Sequence, residues 1–113
     1  MIITKTEPFT KEELEKLKEQ FEVYIKIVID VENKVCSAGM DMHFDGEQIL
    51  LGQDSKQLNI WGGGIDLETG IIDCNSFINI RPNDHNTSNE IQNLGIREEY
   101  EKLVKYFFKV LYE

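Results

Sequence analysis

From Val23 to Val31 the chain alternates. Val23, Ile25, Ile27, Ile29 and Val31 fall on one side at period 2, and Tyr24, Lys26, Val28 and Asp30 fall on the other. Successive strand side chains point to opposite faces, so the segment predicts a half-buried β-strand. Glu32-Asn33 predicts a tight hairpin turn. The return segment, 34–45, places Cys36, Ala38, Met40, Met42 and Phe44 on its apolar face, opposite Ser37, Asp41, His43 and Asp45. Farther on, Leu58 and Ile60 point in while Asn59 and Trp61 point out. Gly62-Gly63-Gly64 lets that strand bend or come close to another backbone. Residues 71–81 read as one more strand, ended by Pro82, which cannot donate to a ladder. Ile72, Cys74, Ser76, Ile78 and Ile80 take its apolar face, and Asp73, Asn75, Phe77, Asn79 and Arg81 the other.

Two segments show helical spacing instead. Thr10 and Glu13 form a capping box, Phe9 and Leu14 a hydrophobic staple, and Leu14, Leu17 and Phe21 a stripe over about 11–22. Tyr100, Leu103, Val104, Phe107 and Leu111 form the stripe of a second helix over about 94–111. Residues 2–5 add a short strand. The order predicts one α+β domain, 1–113: an antiparallel β-meander of four to five strands with an N-terminal and a C-terminal helix packed on one face. The other face is then polar. Ile27, Ile29, Met42, Ile60, Ile78, Ile80, Leu103 and Phe107 are its expected core. Phe107, Phe108, Val110 and Tyr112 supply more apolar surface than one helix face buries, which predicts a homodimer.

Charge narrows the partners. Twenty-one acidic residues against twelve basic ones give −9. With no basic patch, such a chain repels nucleic acid and anionic membranes. No apolar run reaches membrane-spanning length, and Met1-Ile2-Ile3 is followed at once by Lys5, Glu7 and Pro8 rather than by the apolar stretch of a signal peptide. The expectation is a cytoplasmic protein. Cys36 and Cys74 fall on core faces and read as inert buried thiols.

The chemistry gathers on the predicted polar face. His43, Asp45 and Glu47, at period 2, are the residue types that ligate a divalent metal. Read as a solvated strand, the same three are a histidine paired with an aspartate. Arg81, followed by Asn83, Asn86, Thr87, Ser88 and Asn89, suits a carboxylate or phosphate, since guanidinium binds either bidentately. Its alternative is an ion pair with Asp30, Asp41 or Asp73. Trp61 beside three glycines is either a stacking platform or a side chain packed against the 82–93 loop. No G-x-S-x-G, P-loop, H-E-x-x-H or C-x-x-C motif is present. The first reading is a binding module without a cofactor. It would hold a small anionic ligand or a protein partner through Arg81, Asn79, Trp61, Asn86 and Ser88, on the sheet face and the 82–89 loop. The alternative is a metal-assisted hydrolase with His43, Asp45 and Glu47 as ligands and Arg81 as anion clamp.

The run Ile29-Asp30-Val31-Glu32, His43-Phe44-Asp45-Gly46-Glu47, Trp61-Gly62, and Ser76 through Asn79-Ile80-Arg81-Pro82, with Asn86 and Ser88 beyond, resembles a small family of uncharacterised prokaryotic proteins described only as a domain of unknown function. The resemblance covers nearly the whole chain. It implies a short, stand-alone cytosolic protein and assigns no activity, cofactor or catalytic residue.

Overall fold

The computed structural model describes residues 1–113. Its strands are β1 (Ile3–Lys5), β2 (Tyr24–Asp30), β3 (Val35–Ala38), β4 (Ile60–Asp66) and β5 (Ile72–Asp73). Its helices are α1 (Lys11–Gln20), α2 (His43–Gly52) and α3 (Leu94–Phe107). The alternating segment becomes β2, the centre of a five-stranded antiparallel sheet in the order β1-β3-β2-β4-β5.

The first face of β2 carries the main core. Ile25, Ile27 and Ile29 pack with Leu14 and Leu17 of α1, Tyr100, Val104 and Phe107 of α3, and Cys36, Ala38 and Cys74. Both cysteines are buried and unpaired, and burial pushes the Cys36 thiol up from its ordinary pKa. The capping box forms as expected: the Glu13 N–H donates to Thr10 Oγ1 and the Thr10 N–H donates to Glu13 Oε1. The latter bond holds the Glu13 carboxyl below its usual range. Phe107 and Phe108, half of the surplus assigned to a second copy, are buried within the chain, where Phe108 stacks on Phe9.

The second face is not left polar, because a helix covers part of it. The expected strand 34–45 stops at Ala38, and α2 begins at His43. Val28, Leu50, Met40 and Ile60 form a second, smaller core there. The helix escapes an apolar pattern search because its buried side is Gly46, Glu47 and Leu50. Gly46 is needed for the close approach: a Cβ there would lie 2.5 Å from Met40 Cε and 2.9 Å from Val28 Cγ2. The phase of β4 is also opposite to expectation. Trp61 pairs with Ile29 and joins the main core, while Ile60 turns to the second face. Of the expected core set, Met42 and Ile80 are exposed.

Candidate functional site

The expected strand 71–81 is only two residues long. Local side-chain hydrogen bonds outcompete the ladder. Asp73 Oδ1 accepts from the Asn75 N–H, and Ser76 Oγ accepts from the Ile78 N–H, starting a 3-10 turn at Phe77–Asn79. Asn79 then locks that turn onto β4. Its Oδ1 accepts from the Gly62 N–H, and its Nδ2 donates to the carbonyls of Gly62, Cys74 and Asn89 at 2.9–3.0 Å. The three glycines are what allow this docking. A Cβ on Gly62 would lie 2.9 Å from Ser76, one on Gly63 would strike Tyr100 Oη and the Asp73 carbonyl, and one on Gly64 would strike the Tyr24 ring. Tyr24 in turn donates to Asp73 Oδ2 at 2.8 Å, and burial with that carboxylate raises its pKa.

Arg81 lies inside, not on an open face. It is 7% exposed; its guanidinium carbon lies 4.0 Å from the centre of the Trp61 ring, and Nη1 donates to the Ile60 carbonyl at 2.6 Å. Its ion pair is with Asp84, at 3.2 Å from Nε, rather than with Asp30, Asp41 or Asp73. Burial lowers the Arg81 pKa, while Asp84 and Glu47 oppose the shift. Asp30 is fully buried and accepts from Ser55 Oγ, Asn33 Nδ2 and two backbone N–H groups of the hairpin. Asn86 is buried too; its Nδ2 donates to the carbonyls of Asn79, Ser88 and Glu90, and its Oδ1 accepts from the Gln92 N–H. The Ser88 hydroxyl caps the Glu90 N–H. Trp61, Asn79, Arg81 and Asn86 thus form an interior scaffold that shapes the 75–92 segment.

His43, Asp45 and Glu47 do not converge. Residues two apart on an α-helix lie about 200° around its axis. Glu47 is buried on the inner side of α2 and Asp45 is exposed. No three His, Cys, Asp or Glu side chains lie close enough to hold a metal ion. The period-2 argument failed because it needed a strand where the chain is helical.

What the structure does assemble is a cleft between the start of α2 and the 75–78 segment. One lobe, about 220 Å³, is lined by Lys26, His43, Asn75, Ser76, Phe77 and Asn89. A second lobe, about 240 Å³, shares Lys26, His43, Ser76 and Phe77 and adds Met42, Phe44 and Ile78. His43 Nε2 lies 2.8 Å from the Gly63 carbonyl, which can only accept, so Nε2 carries the proton. Burial lowers the His43 pKa, with Lys26 adding to the effect and the Gly63 hydrogen bond and Asp73 opposing it. The neutral ring keeps a lone pair on Nδ1. Lys26 donates to the Asp41 carbonyl at 2.5 Å and is in no ion pair. Two larger grooves, about 670 and 490 Å³, run along α3, and Lys34 and Glu99 line both.

Of the side chains singled out by sequence, His43 and Asn89 line this cleft, and Arg81 and Glu47 line none. Phe77 and Phe44 were missed as site residues. Phe77 is 85% exposed, the highest value of any large apolar side chain, and Phe44 is 53% exposed. No local sequence signal marks them: Phe77 lies between Ser76 and Ile78, and Phe44 falls on the apolar phase of the expected strand.

No curated protein and no solved structure matches the chain. No helix is long and apolar enough to cross a membrane. A family model described as "Protein of unknown function (DUF5674)" matches residues 1–107, so the chain belongs to that family.

Proposed function

We propose that this protein is a small-molecule binding module and that its site is the cleft between His43 and Phe77. The observation that carries this reading is the way Phe77 is held. A side chain that projects into water because its loop is loose says little. Phe77 instead opens a 3-10 turn that Ser76 caps and Asn79 fastens to β4. The fold therefore holds in a fixed place the backbone that carries an aromatic ring into water, forgoing about 1.5–3 kcal/mol of burial. A ligand that covers the ring recovers that energy without first ordering the loop. The polar groups beside it (the Asn75 and Asn89 amides, Lys26 and the His43 ring) give the cleft the few convergent polar contacts typical of ligand sites. The site shares only Asn89 with the 82–89 loop inferred from sequence, but the class of function proposed is the same.

A mixture screen of small aromatic compounds followed by backbone amide NMR tests the reading. Hits should shift the resonances of His43, Asn75 and Phe77, and Phe77→Ser should weaken their binding while leaving the rest of the spectrum in place. Hits that map to the grooves along α3 would refute it.

A further inference from the structure

We infer that the ligand of this cleft is an aromatic carboxylate, its ring against Phe77 and Phe44 and its single negative charge at Lys26. This rests on the reading of the cleft as the binding site. The argument starts from charge. The chain carries −9 overall, with acidic residues outnumbering basic ones 21 to 12. A cleft in such a surface would ordinarily be lined with carboxylates, and both grooves along α3 are, through Glu99. No carboxylate lines either lobe of the His43 cleft, and Lys26 lines both. The Lys26 ammonium meets only a backbone carbonyl, so its charge has no partner within the protein, and its other donors are free. An anion in the cleft meets a cation without displacing an existing ion pair.

The number and kind of groups set the class. One cationic side chain matches one negative charge, which favours a carboxylate over a phosphate dianion. There is no arginine fork in the cleft, since Arg81 is turned inward over Trp61. The apolar rim is Phe77, Phe44 and Met42, all more than half exposed, at 85%, 53% and 62%. Flat rings stack on aromatic side chains in offset or edge geometry, and a thioether packs well against a ring edge. The polar floor and apolar rim therefore select opposite ends of one small amphipathic molecule.

The test is an amide NMR titration of the full chain with benzoate, with its neutral counterpart benzamide, and with acetate. Benzoate should shift Lys26, His43, Asn75 and Phe77 together and saturate at a concentration about tenfold below benzamide, the usual worth of a charge-assisted contact. Acetate, which lacks the ring, should bind more weakly than benzoate. Lys26→Gln should erase the difference between benzoate and benzamide, and Phe77→Ser should weaken both. Equal binding of benzoate and benzamide in the cleft overturns the carboxylate assignment and leaves the cleft standing as the site. Shifts confined to other surfaces for all three compounds overturn the assignment and the site together.

Discussion

Replacing Asn79 with Ala should destabilise this protein more than any conservative surface change. The side chain is fully buried and has four backbone partners: the Gly62 N–H and the carbonyls of Gly62, Cys74 and Asn89. The contacts to Gly62 and Cys74 lie in the interior. Truncation leaves those groups unpaired in a site too crowded for easy solvation. At about 1–3 kcal/mol for each unpaired buried group, less what relaxation recovers, the loss is roughly 3–5 kcal/mol. That is a large share of the about 5–15 kcal/mol that holds a domain of this size together. Urea denaturation followed by circular dichroism measures it, with the slope compared so that a change in the unfolded state is not mistaken for a loss of native stability. Asn79→Asp should do no better at neutral pH, because it turns a donor toward three carbonyls into a carboxylate. A loss below about 1 kcal/mol at unchanged slope would refute the reasoning, since the buried groups would then have found other partners.

Three further outcomes follow from the same geometry. Gly63→Ala places a methyl against Tyr100 Oη and the Asp73 carbonyl and should cost about 1–3 kcal/mol or more, whereas Gly52→Ala, with nothing within 4 Å, should be neutral or slightly stabilising by thermal melting. Arg81→Met should lower stability and change the emission of Trp61, the chain's single tryptophan, because the guanidinium stacked on that ring is removed; unaltered fluorescence would argue against the stacking. Burial, aided by Lys26, keeps the His43 pKa below its ordinary 6.5, against the pull of Asp73 and the Gly63 hydrogen bond. The unfolded chain then takes up a proton that the folded chain declines, so this contribution to stability is complete above the ordinary value and is lost as pH falls toward the lowered one. His43→Gln should flatten that part of the stability–pH curve, and an identical slope in the variant would contradict the assignment.

The elements that a sequence reading finds here are those whose buried positions are apolar. The strand at 24–30, the capping box at Thr10 and the stripe of Tyr100, Val104 and Phe107 all announce themselves by period. Helix α2 does not, because Gly46 and Glu47 occupy its inner side and the alternation of Met40, Met42 and Phe44 imitates a strand. The 71–81 segment misleads for a different reason. Its period-2 pattern is real, but Asp73 and Ser76 offer the backbone closer partners than a neighbouring strand does. Both errors displaced the site. Asn79, Arg81 and Trp61 were identified as special and are, yet as buried supports. The residues they position, Phe77 above all, look unremarkable in the sequence because nothing local distinguishes an exposed phenylalanine from a core one.

The most direct test of the central claim is the pattern of intermolecular nuclear Overhauser effects between a bound aromatic carboxylate, 1-naphthoate, and this protein. The account predicts contacts from the naphthyl ring to the side chains of Phe77, Phe44 and Met42, with the ring edge that bears the carboxylate nearest to Lys26. Contacts to Tyr106, Leu103 or Ile96 along α3 in place of Phe77 would contradict it.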